Sequence, residues 1–111
     1  MQSNTRPGFA SRIIGLYLDG TPGVLNELRA AALASDLPVL RTSIHNLLSA
    51  SAALGAVRLA ALCHDMDIVL RTGSVPDAAE RVEAIAGEYQ RVEVALRIWC
   101  VATAGGLERS P

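Results

Sequence analysis

Apolar residues return every three or four positions from Phe9 to Trp99 of this 111-residue chain, in four runs separated by short breaks rich in Gly, Pro, Ser and Asp. That spacing builds one apolar face on a helix, and each face must be buried against another element. In the first run, about Phe9–Ala34, the face is Ile14, Tyr17, Thr21, Val24, Leu28 and Ala31. Pro22, with Gly15, Gly20 and Gly23 around it, weakens the middle. Proline removes a backbone bond, so a kink near Asp19–Pro22, or a split into two helices, is expected. The second run has Asp36 as N-cap and Pro38 in its first turn. Leu37, Leu40, Ile44, Leu47, Leu48, Ser51 and Leu54 form its stripe, and Gly55 ends it. The third, about Ala56–Arg71, carries Leu59, Leu62, Cys63, Met66, Val69 and Leu70, with Gly73 as a C′ residue. Ser74-Val75-Pro76-Asp77 reads as a capping box with Ser74 at the cap. The fourth run, Ala78, Val82, Ile85, Tyr89, Val92, Leu96 and Trp99, alternates steps of four and three, the seam of a packed bundle.

No strand pattern competes, and short connections favour antiparallel neighbours. The expected fold is all-α, an up-down-up-down four-helix bundle over residues 9–101. Residues 1–8 and 102–111 lack periodicity and read as flexible tails. The composition agrees: Ala supplies 18 residues and Leu 15, both strong helix formers. All ten cations are Arg, against eleven anions. A net charge of −1 gives no basic excess for nucleic acid, so no nucleic-acid partner is expected. No long uncharged apolar run predicts a membrane span, and Met1–Pro7 has no apolar core of a signal peptide. Two cysteines, Cys63 and Cys100, are too few for a disulfide scaffold and fit a reducing, cytoplasmic setting.

A bundle without an enzyme-like pocket works through its surface. On a helical wheel at about 100° per residue, Leu40, Ile44, Leu47 and Ser51 cluster and His45 lies roughly 120° away. His45 is therefore expected to face solvent, or a shallow groove beside the first helix. One turn away lie Arg41, Thr42, Leu48 and Ser49, with Ala52 beyond.

These residues carry a resemblance. Ser43 through Ala56, with His45 and Leu54-Gly55-Ala56, is similar to the signature A-H-x-L-K-G-S-x-x-x-L-G-A of histidine-containing phosphotransfer (HPt) domains. Leu16-Tyr17-Leu18-Asp19-Gly20-Thr21-Pro22 resembles the family's F-L-x-D-x-P stretch. Ala34-Ser35-Asp36-Leu37 resembles its turn before the active helix, and Arg58–Cys63 the helix after it. The resemblance covers about Phe9–Leu96. It implies a phosphorelay intermediate: His45 accepts a phosphoryl group from a receiver-domain aspartate and passes it to another receiver. It implies a carrier without kinase activity of its own, in a bacterial-style two-component system. Response-regulator receiver domains are the implied partners, with a hybrid histidine kinase as a further one. No cofactor is implied on this chain, since Mg²⁺ belongs to the receiver.

Two departures from the family matter. Leu48 stands three residues after His45 where Lys is usual, and Ser49 stands four after, where Gly is usual. Leu48 supplies no charge; Ser49 is small and offers a hydroxyl. Arg41, at i−4, is the nearest cation along the chain. The expected support of the phosphoryl group is therefore Arg41, Leu48, Ser49 and Ala52. The alternative is a docking module that binds a receiver, or another signalling protein, without accepting phosphate.

The rival centre is Cys63-His64-Asp65-Met66-Asp67. Consecutive helical residues point in different directions, so this run does not converge on a metal, and no metal site is expected. Cys63, Tyr89 and Trp99 read as core, Cys100 as structural or in a fraying end, and Glu80, Arg81, Glu83 and Arg91 as a solvated face.

Overall fold

The computed structural model describes the backbone of residues 8–109 and the side chains of residues 8–103. Four helices follow in order: α1 (Phe9–Ala34), α2 (Leu37–Ala53), α3 (Val57–Leu70) and α4 (Ala78–Arg109). Among the described residues there is no strand. α1 packs on α2 and α4, and α3 packs on α2 and α4, so each helix has two neighbours in a closed ring. Leu28, Leu40, Ile44, Leu59, Cys63, Met66, Leu70, Val82 and Ile85 are almost wholly withdrawn from water at the centre. No described helix is long and apolar enough to cross a membrane.

The breaks follow local chemistry. Ser35 closes α1 in the left-handed region (φ 55°), and the Asp36 N–H reaches back to the Ala31 carbonyl at 2.9 Å. The Asp36 carboxylate then accepts from the Val39 N–H at 3.3 Å, capping α2 as its sequence signals. Gly55 (φ 78°) and Gly73 (φ 85°) take the positive angles that end α2 and turn the chain after α3. α4 begins later than the capping box suggests. Its first helical bond runs from the Arg81 N–H to the Asp77 carbonyl, so Asp77 holds the position expected for Ser74. Both residue types suit a cap. Pro76, with its fixed φ, sits in the turn just before the helix.

α1 is one uninterrupted helix with Pro22 inside it, not two. Pro22 has no N–H to give the carbonyl of Leu18, four residues back. Tyr89 of α4 offers its hydroxyl to that oxygen at 3.5 Å. The neighbouring Tyr17 carbonyl takes a second donor, the Thr21 hydroxyl, at 2.6 Å. Partner groups thus serve the turn that proline disrupts. The Tyr17 and Tyr89 rings meet there with centroids 5.9 Å apart at 57°.

α4 outruns the expected bundle. Residues 102–109 continue the helix rather than forming an irregular tail, while residues 1–7 and 110–111, also read as tail, lie outside the described residues. Adding a residue to an existing helix needs no new nucleus, and Ala102, Thr103 and Ala104 carry it on. The overrun also corrects Trp99, which is 43% exposed rather than core. α3 sets 14 residues against the 32 of α4, so past the first half of α4 one flank has no α3 beside it. Tyr89, earlier on the same seam, is buried as expected.

Candidate functional site

His45 stands on α2, two turns inside the Asp36 cap, and is exposed. Its helix neighbours Ile44 and Leu47 are sunk into the core at 0% and 2% exposure, which anchors the backbone beneath the imidazole. Behind the same helix the Ser51 hydroxyl, fully buried, shares a 2.8 Å hydrogen bond with the Tyr17 hydroxyl of α1. α2 is therefore pinned to α1 by apolar packing and one buried polar tie. His45 is turned away from both.

The groove it faces lies beside α3, not α1. A shallow cavity of about 520 Å³ is lined by Arg41, Thr42, His45 and Asn46 from α2 and by Asp67 and Arg71 from the end of α3. The angle of His45 from the stripe is legible on one helix. Which neighbour fills that side depends on how the helices are arranged around α2. Arg41 lines the groove, and one of its guanidinium nitrogens donates to the Leu70 carbonyl at 3.2 Å. That carbonyl, in the last turn of α3, also accepts from the Gly73 N–H at 3.1 Å, so Arg41 is its second donor. Arg71 extends from the C-cap of α3, 75% exposed, and meets Asp67 one turn back at 3.1 Å. Two guanidinium groups and one carboxylate give the groove a surplus of one positive charge.

The expected supporting residues divide. Arg41 shares the groove with His45. Leu48, Ser49 and Ala52 lie on the other side of His45 along α2 and do not line it. Leu48 is half-buried against the core, while Ser49 and Ala52 are exposed. The surface after His45 is thus small and uncharged, and the surface before it is cationic. Arg71 and Asp67 were not legible as site residues, because their place depends on how α3 lies against α2. Their only local signal is the i,i+4 acid–base pair itself.

The rival run on α3 does not converge. Cys63 is fully buried and its thiol is pushed up to about 12 by burial, while His64 is exposed. Among the described residues no three His, Cys, Asp or Glu side chains gather as metal ligands would. Cys100 is a half-buried free thiol packed against the core.

Comparison with curated proteins and with solved structures finds no match. A family model, that of the Hpt domain, matches residues 12–95, from the first turn of α1 through α2 and α3 into α4. The match spans most of the chain and includes His45 and both faces of its groove, and the chain belongs to the Hpt domain family.

Proposed function

We propose that this Hpt domain is a phosphorelay intermediate in which His45 accepts a phosphoryl group from one receiver domain and gives it to another. The family implies phosphotransfer in two-component systems, with receiver domains of response regulators as partners. The observation that carries the assignment to His45 is its position: an exposed imidazole on an anchored helix, beside a groove with two guanidinium groups. A neutral ring nitrogen is a competent nucleophile near neutral pH. Its lone pair forms the N–P bond as the P–O bond to the receiver's aspartate breaks, and the carboxylate leaves with the electron pair. Reversal onto a second aspartate completes the relay. Phosphoryl transfer depends on positioning and charge stabilisation, so a rigid, oriented imidazole is most of what this chain must supply. Mg²⁺ would sit on the receiver, and the chain would need no kinase activity of its own.

Arg41 and the Ser49 hydroxyl would steady the phosphoryl group, and Ala52 would leave space for the receiver. The relay would start from a hybrid histidine kinase in the cytoplasm. The bundle is read as antiparallel up-down-up-down. Support comes from the pairing of Tyr17 with Ser51 (α1–α2), Arg41 with Leu70 (α2–α3), and Arg29 with Glu83 (α1–α4).

Mapping the phosphorylated residue tests the proposal. After incubation with a phosphorylated receiver, the expected product is an acid-labile phosphate on the peptide that contains His45. Receiver binding without such a phosphate would select the docking module, which the apolar Leu48 favours.

A further inference from the structure

We infer that Arg71, at the end of α3, makes the main cationic bond to the phosphoryl group on His45, with Arg41 in a lesser role. The inference rests on the phosphoacceptor reading of that histidine. The chain has no Lys at all, and the residue one turn after His45 is the half-buried Leu48. Charge for a phosphoryl dianion must therefore come from Arg. Among the described residues, two arginines line the groove that His45 lines, Arg41 and Arg71.

The two are not equally free. Arg41 is tied to the Leu70 carbonyl at 3.2 Å in a partly buried bond and serves the join of α2 to α3. Arg71 is 75% exposed, and its side-chain partner among the described residues is Asp67, an i,i+4 pair at 3.1 Å. An exposed pair of that kind is among the weakest ion pairs, because water screens it and two long side chains must be held still. A phosphoryl group offers Arg two parallel charge-assisted bonds, which a planar guanidinium matches well. On phosphorylation Arg71 exchanges Asp67 for the phosphoryl oxygens. Asp67, 16% exposed in its side chain, thus acts as a resting partner that competes with phosphate.

Two readouts separate this inference from the reading beneath it. The first uses phosphoramidate, a small donor that needs no receiver, and follows the labelling rate and the lifetime of the phosphohistidine. Arg71→Gln is expected to lower the labelling rate or the lifetime about tenfold, the size of losing a hydrogen bond to a charged group. Arg71→Lys should recover most of the loss, and Asp67→Asn should raise the rate above wild type. The second titrates the unlabelled domain with inorganic phosphate and follows the Arg71 Nε–H signal by NMR. That signal should shift in wild type and persist in His45→Ala. If it shifts although the domain is never labelled, the anion groove stands and the relay reading falls. If Arg71→Gln labels and decays like wild type, or the Arg71 signal ignores phosphate, the inference is wrong. Arg71 is exposed at a helix end, so an unchanged thermal midpoint will show that the variants fold.

Discussion

The Arg41 guanidinium donates to the Leu70 carbonyl across the α2–α3 groove at 3.2 Å, directly beside the helix face that carries His45. The bond joins α2 to α3 and gives the Leu70 carbonyl a second donor beside the Gly73 N–H. Arg41→Ala is expected to lower stability by about 1 kcal/mol, the usual net value of such a bond. The urea midpoint should fall and His45 labelling should slow with it. An unchanged midpoint would show that the tie contributes nothing.

Tyr17 and Ser51 make the buried polar tie on the opposite side of α2. Ser51→Ala strands the Tyr17 hydroxyl in the core and is expected to cost about 1–3 kcal/mol. Tyr17→Phe should cost less, because a helical Ser hydroxyl can turn to the carbonyl one turn back. The double variant should lose less than the sum of the singles, as a denaturation cycle will show.

Pro22 predicts an unusual coupling. Pro22→Ala restores an N–H to the Leu18 carbonyl and relieves a proline inside a helix, a defect worth up to about 3 kcal/mol. The expected outcome is a higher thermal midpoint. The Tyr89 hydroxyl then loses its purpose at Leu18, so Tyr89→Phe should cost less in the Pro22→Ala background than in wild type. Equal costs in both would remove the link between the two residues.

Burial raises the Cys63 thiol from 9.0 to about 12 and the Tyr89 hydroxyl from 10.0 to about 12. The native state therefore keeps protons that the unfolded chain releases. Stability should be intact below pH 9 and fall as pH rises from about 9 towards 12. Under native conditions an alkylating reagent should reach the half-buried Cys100 before Cys63, which should react only on unfolding. Mass spectrometry of the two cysteine peptides distinguishes them.

Much of the bundle is written in single residues. Asp36 with Pro38, Gly55 and Gly73 punctuate the chain, and the helices end beside them. Periodicity also turned His45 out of the core correctly, since its angle from the stripe is a property of α2 alone. What one helix cannot encode is its surroundings. Trp99 continues the α4 seam in perfect step, yet its exposure depends on the length of α3. The groove lies on the α3 side of His45, and Arg71 enters it, because of how two helices pack. Asp77 displaced Ser74 as the start of α4 because both are good caps three residues apart, and only the turn geometry chooses between them.

Leu48 and Ser49 mark where this chain leaves the family pattern. Leu48 lies at the core edge, half-buried, so a longer side chain there can keep its stem packed and its charge in water. Leu48→Lys with Ser49→Gly is expected to lengthen the phosphohistidine lifetime about tenfold, since a charge-assisted bond is gained. No change would mean that cations on the α3 side already meet the need.

The central claim is that His45 carries the phosphoryl group. A phosphorylated receiver domain incubated with wild type and with His45→Ala, followed by the label on each, tests it most directly. The account predicts acid-labile label on wild type and none on His45→Ala, with both proteins equally folded. Equal labelling of the two would contradict it.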